Sequence, residues 1–158
     1  MLFVSGCETV KVRYTSDKIK RIEQIKIGDM IDLRSAEDVF IKEGESYIIS
    51  LGVAMQLPKG YFAEVVPRSS LFNNFGLIMV NSVGIIDESY CGNDDVWRFQ
   101  ALCVEGKHFK NGVKGTQVSI NDRLCQFRIV EKMPELDFIE VDDLGNANRG
   151  GIGSTGVD

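Results

Sequence analysis

The stretch "LGVAMQLP", Leu51 to Pro58, alternates without a break. Leu51, Val53, Met55 and Leu57 fall on one face, and Gly52, Ala54 and Gln56 on the other. Successive side chains of an extended chain point to opposite sides, so a period of two marks a β-strand with one face on a core. "QVSINDRLCQFRIVEKM", Gln117 to Met133, repeats the pattern, with Cys125, Phe127 and Ile129 opposite Gln126 and Arg128. "YFAEVVP", "FGLIMV" and "VWRFQALCV" are short and rich in Val, Phe, Ile and Tyr, and Gly, Asn, Asp or Pro punctuates the gaps. Short strands at this spacing predict an all-β sandwich or barrel. Only "SDKIKRIEQIKIGD", Ser16 to Asp29, predicts a helix of one or two turns, with Ser16 as N-cap and Ile19, Ile22 and Ile25 three residues apart.

The chain has 158 residues, 44% hydrophobic and 26% charged, which predicts one soluble domain with an ordinary core. A net charge of −5 argues against a dedicated nucleic-acid binder but not against a local phosphate site. Cys7, Cys91, Cys103 and Cys125 have no CxxC spacing, and His108 is the single histidine, so no zinc site is expected. "MLFVSGCE" is too short and lacks the basic start of a secretory leader, and no apolar run approaches membrane-spanning length; a reducing cytoplasm is the expected location. His108, in "EGKHFKNGVKG", reads as a surface residue, and Trp97 and Phe99 as core or subunit contacts.

Three segments carry candidate chemistry. After Pro67, which cannot sit mid-sheet, Arg68, Ser69 and Ser70 offer one guanidinium, two hydroxyls and free backbone N–H groups. They read equally well as a phosphate site or as the cap of a helix over "LFNNF". In "VNSVGIIDESYCGND", Ile85 and Ile86 deliver Asp87 at a strand end, with Tyr90 three residues on; Asp87 suits either a turn or a general base. "RGGIGSTGVD", Arg149 to Asp158, is on composition a mobile tail.

In order, "GDMIDLRSAEDV", "PRSSL", "VGIIDESYCGND", "INDRLCQFRI" and "RGGIGSTG" resemble the five motifs of the trimeric dUTP diphosphatases, the dUTPases. The matches run from about Asp29 to Gly156, and the first and fourth look most like the branch found in Gram-positive bacteria and their phages. The resemblance implies a jelly-roll-like β-barrel over residues 1–148 and a C-terminal arm over 149–158. Three subunits would assemble so that the arm closes over a neighbour's site. It implies hydrolysis of dUTP to dUMP and diphosphate with Mg²⁺, by attack of an activated water on the α-phosphorus.

By that resemblance Asp87 is the general base, and Asp32 holds magnesium through water, with Asp29 and Asp38 as nearby alternatives. Arg68, Ser69, Ser70 and Gln126 contact phosphates, while Arg123 makes a structural pairing. Asn81 and Gly84 start a uracil-reading hairpin, completed by backbone groups of Ile85 and Ile86, and the Tyr90 ring lies against the deoxyribose. In the arm, Arg149, Gly153, Ser154 and Thr155 reach the phosphates, and Ile152 stands where the family has an aromatic over the uracil. Trp97 is a candidate to take that aromatic's place. A dCTP deaminase shares the barrel, but its base would be a Glu after the turn, where this chain has "NDDVW". A regulatory binding role on the same fold stays open, as does a purely structural barrel.

Overall fold

A computed structural model describes residues 6–151. Twelve strands and one short helix follow one another along the chain: β1 Lys11–Tyr14, β2 Ile31–Arg34, β3 Val39–Lys42, β4 Ser46–Ser50, β5 Val53–Gln56, β6 Tyr61–Pro67, α1 Leu71–Phe75, β7 Leu77–Met79, β8 Gly84–Ile86, β9 Arg98–Cys103, β10 His108–Lys110, β11 Val113–Val118 and β12 Arg123–Glu131. Every pairing is antiparallel. The strands form four small sheets, ordered β1-β5, β10-β11-β3, β2-β12-β6-β8 and β4-β9-β7, around a single apolar core. The protein is all-β, as the period of two requires. No helix among the described residues is long and apolar enough to cross a membrane.

Alternation decides which side chains fill that core. Leu51, Val53, Met55 and Leu57 are all buried, but so is Ala54 on the opposite face, so β5 is covered on both sides. In β12, Leu124, Cys125 and Phe127 are buried while Arg128 is exposed. Burial, and after it the Asp32 carboxylate, push the Cys125 thiol far above its ordinary range. It therefore packs as a neutral hydrophobe.

The expected helix over Ser16–Asp29 does not form. Its backbone donors find partners on the barrel instead. Lys20 N–H donates to Asn121 Oδ1 (2.8 Å) and Ile22 N–H to the Tyr14 hydroxyl (2.7 Å). Only a turn remains at Ser16, whose carbonyl accepts from Ile19 N–H. Ile19 is buried, but Ile25 is exposed, so the three-residue spacing does not make a core face. Among the described residues the one α-helix is α1, over "LFNNF".

Trp97 is also settled by packing. It is fully buried just before β9, its ring edge-on to Phe127 with centroids 5.2 Å apart. It is a core residue and cannot serve as an aromatic cover over a ligand. Its indole N–H has no partner among the described residues. Trp97→Ala is expected to cost about 3–5 kcal/mol in urea unfolding followed by circular dichroism. Trp97→Phe, which also deletes the unpaired donor, is expected to cost clearly less.

Candidate active site

The sheet β2-β12-β6-β8 carries most of the chemistry on its outward face. Leu33, Cys125, Phe127 and Val65 point into the core, so their strand neighbours Asp32, Gln126 and Val66 point out. Asp32, Gln126 and Val66 are direct cross-strand partners and form one row. Arg68 follows β6 just beyond this row, its N–H bonded to Leu124 O.

Here three charges meet. Arg68 Nε lies 2.9 Å from Asp32 Oδ1, and Arg123 Nη1 lies 3.2 Å from Asp32 Oδ2. Arg123 thus makes the structural pairing expected of it. Asp32 occupies the Nε edge of Arg68, and the terminal amino groups of that guanidinium have no partner among the described residues. Ser70 stands at the N-cap of α1 but makes no side-chain cap bond. The Ser70 hydroxyl is therefore not consumed by capping, and Ser69 and Ser70 directly follow Arg68 in the chain. Of the alternative carboxylates, Asp38 accepts from Ile120 N–H (2.8 Å), and Asp29 is exposed in a segment without regular structure.

Among the described residues no three His, Cys, Asp or Glu side chains converge as a metal cage. Mg²⁺ keeps several waters and takes one or two protein carboxylates, so a single carboxylate is enough to meet it. Asp32, singly placed and partly exposed, fits contact through water and not a cage of its own.

The second group of residues sits elsewhere. β8 pairs Gly84 with Val65 and Ile86 with Ala63, and its other edge pairs with no strand among the described residues. An edge strand presents free N–H and C=O groups, which is what reading a base by its hydrogen-bond pattern needs. β8 does not form a hairpin with the strand that follows it. The chain passes from β7 in one sheet to β8 in another, and returns as β9 in the first. Gly84 is buried at this crossing, where an added Cβ would stand 3.1 Å from Met79 Cε and 3.5 Å from Val65 Cβ. Asn81 is exposed in the turn before it, Ile85 is 54% exposed, and Ile86 is half-buried.

Asp87 directly follows, exposed, with no protein partner for its carboxylate among the described residues. Tyr90 N–H donates to Asp87 O (3.0 Å), closing a turn between the two residues. Ile85 and Asp87 line a groove of about 1050 Å³ that Phe62, Glu88 and Lys132 also border.

These two groups do not meet within one chain. Continuing the β8–β6 register, Asp87 falls opposite Phe62 near the start of β6, whereas Arg68 lies past its end. At strand dimensions the Asp32–Arg68 cluster and Asp87 are about 20 Å apart. Arg149, Gly150 and Gly151 are exposed and without regular structure. Ile152, Gly153, Ser154 and Thr155 lie outside the described residues.

Fold and site together define an all-β protein whose one outward sheet face carries an anion-binding cluster at one end and an open carboxylate at the other. The family model described as dUTPase matches residues 29–156, and the chain belongs to the dUTPase family. A SPbeta prophage-derived deoxyuridine 5'-triphosphate nucleotidohydrolase of Bacillus subtilis is 52% identical over 148 residues, covering 94% of this chain and 98% of its own. The deoxyuridine 5'-triphosphate nucleotidohydrolase of Thermobifida fusca is 36% identical, covering 97% and 82%. Among solved structures, a Staphylococcus bacteriophage 80alpha dUTPase with dUpNHpp superposes at a TM-score of 0.73 with 23% identity, over 94% of this chain and 99% of its own. At that identity the likeness carries the fold alone. The prophage relative agrees with the phage-like, Gram-positive branch expected from the motifs.

Proposed function

We propose that the protein hydrolyses dUTP to dUMP and diphosphate at sites shared between the subunits of a homotrimer. The observation that carries this reading is the division of the site. The phosphate-type donors and the free carboxylate sit on one outward face, yet too far apart to act on one substrate. A general base must stand within about 3 Å of the water it activates, so a strand's length is far too great. A neighbouring copy that brings its Asp87 end to this chain's Arg68 end completes the set. Closed rotational symmetry does this for all copies at once.

In that assembly the Asp87 carboxylate accepts a proton from a water whose oxygen attacks the α-phosphorus. The bond from the α-phosphorus to the bridging oxygen breaks, and diphosphate leaves. The Arg68 amino groups, the Ser69 hydroxyl, Ser70 and Gln126 offset the charge that gathers on the phosphate oxygens. Mg²⁺ bound by the triphosphate, met through water by Asp32, would add Lewis-acid polarisation. Free backbone groups on the edge of β8, at Ile85 and Ile86, hydrogen-bond uracil. Cytosine presents the opposite pattern and leaves a buried group unpaired, at about 1–3 kcal/mol for each. Tyr90 against the sugar excludes a 2'-hydroxyl. Arg149, Gly153, Ser154 and Thr155 close over the phosphates, and Ile152 over the uracil, from a barrel domain spanning residues 1–148. A magnesium-bearing structure of a related protein, the D95N mutant dUTPase of phage phi11 of S. aureus, is described as coordinating a structural Mg(II) ion.

Diphosphate release compared across dUTP, dCTP, dTTP and UTP, with and without Mg²⁺, tests the reaction. Turnover of dUTP alone is expected, and ammonia released from dCTP would overturn the reading. Mixing tests the shared site. Asp87→Asn and Arg68→Ala proteins, each nearly inactive, are expected to regain about a quarter of native activity when unfolded together and reassembled one to one, because random assembly pairs intact halves at that frequency. No recovery in mixed trimers would place both halves in one chain.

A further inference from the structure

We propose that Glu88 is a positioning residue, which ties the turn carrying Asp87 to the barrel through a junction with Gly60 and Lys132. This rests on the hydrolase reading above and deepens it.

The need for a tether follows from the local geometry. β8 is only three residues long, and the chain leaves the sheet immediately after Ile86. Asp87 is the first residue beyond the ladder, and its carboxylate has no partner to steady it among the described residues. The Tyr90-to-Asp87 backbone bond closes the turn on itself but does not attach it to the sheet. The Tyr90 hydroxyl reaches Val96 O only at 3.4 Å, a weak contact.

Glu88 turns the other way and makes the attachment. Its Oε2 accepts from Gly60 N–H (3.2 Å) and from Lys132 Nζ (3.1 Å). Gly60 O in turn accepts from Lys132 N–H (2.9 Å), so all three residues are joined pairwise. Gly60 has φ of +87°, a backbone conformation that favours glycine, and it belongs to the turn that starts β6. Two residues beyond the Ile86–Ala63 pair, Glu88 comes opposite Tyr61, whose partner on its other side is Glu131. Lys132, next after Glu131, lies opposite Gly60, and its side chain reaches Glu88. The junction binds β12, β6 and the turn after β8 into one unit.

Charge makes the tether persistent near neutral pH. The Lys132 ammonium first, then the Gly60 N–H, hold the Glu88 carboxyl below its ordinary range, so it stays ionised. Both side chains keep solvent access, Glu88 at 29% and Lys132 at 54%. Exposed pairs contribute little to global stability. The consequence of losing this one should therefore appear in turnover and not in unfolding. Sub-ångström placement of a base matters steeply to rate. Lys132 is also where the segment leading to Arg149 departs from β12, so one junction sets the angle of the base and the root of the arm.

The test uses full-length protein and steady-state dUTP hydrolysis. Glu88→Ala is expected to lower kcat about tenfold, with KM changed less than about twofold and the melting midpoint unaltered. Glu88→Gln keeps an acceptor for Gly60 N–H and is expected to restore most of kcat. Lys132→Met should show a smaller loss, and the double variant Glu88→Ala/Lys132→Met should be no slower than Glu88→Ala alone, as partners in one junction require. Native kcat in Glu88→Ala, with active wild type, overturns the inference. So does a loss that follows a lowered melting midpoint and is not rescued by Gln. A wild-type protein that releases no diphosphate from dUTP would overturn the parent reading and this one with it.

Discussion

Asp87→Asn is expected to lower kcat for dUTP by about 10²–10⁴-fold, the range of a lost general base. The variant should remain folded and keep its oligomeric mass. Asn has the size of Asp and can still hydrogen-bond a water, but it cannot take the proton. The side chain is exposed, and its carboxylate is bonded to nothing else among the described residues, so the exchange removes chemistry without removing structure. KM should change little, because a base that acts on water contributes mainly in the transition state. Near-native turnover in a variant of native mass and circular dichroism would show that another group activates the water.

Ending the chain at Asn148 is expected to cost at least about 10²-fold in kcat/KM, on the scale of removing transition-state donors. The deletion takes Arg149 and the hydroxyls of Ser154 and Thr155, together with the Gly-rich backbone that would let N–H groups approach phosphate. Sedimentation should give an unchanged oligomer. β12 ends at Glu131, and the exposed apolar residues after it, Met133, Leu136, Phe138, Ile139, Val141 and Leu144, all remain in the truncated protein. Native activity after truncation would return "RGGIGSTGVD" to an unused tail.

The architecture was legible because alternation is dictated by backbone geometry alone. Leu51, Val53, Met55 and Leu57 are buried as their spacing demands. The Ile19–Ile22–Ile25 spacing misled, because the barrel supplied Asn121 and Tyr14 as partners for backbone groups that a helix would have bonded internally. Tertiary contacts of that kind leave no local trace. Trp97 misled for a related reason: its sequence neighbourhood does not distinguish a core aromatic from one that covers a ligand. Motif order pointed to Asp32, Arg68, Gln126 and Asp87, but not to their separation in space. That depends on strand order, which places β8 beside β6 and β2 beyond β12. The Glu88–Lys132 pair, 44 residues apart in sequence, had no signal at all.

The separation along β6 has a kinetic meaning. A barrel whose own two half-sites lie a strand's length apart can complete its folding and still be chemically silent. On the shared-site reading, turnover begins only when subunits meet, so specific activity should fall on dilution while the secondary structure of each barrel stays intact. Newly made chains would then pass through a stage in which they are native in shape and inert toward nucleotide. Hydrolysis would report the encounter of finished subunits, not the folding of any one of them.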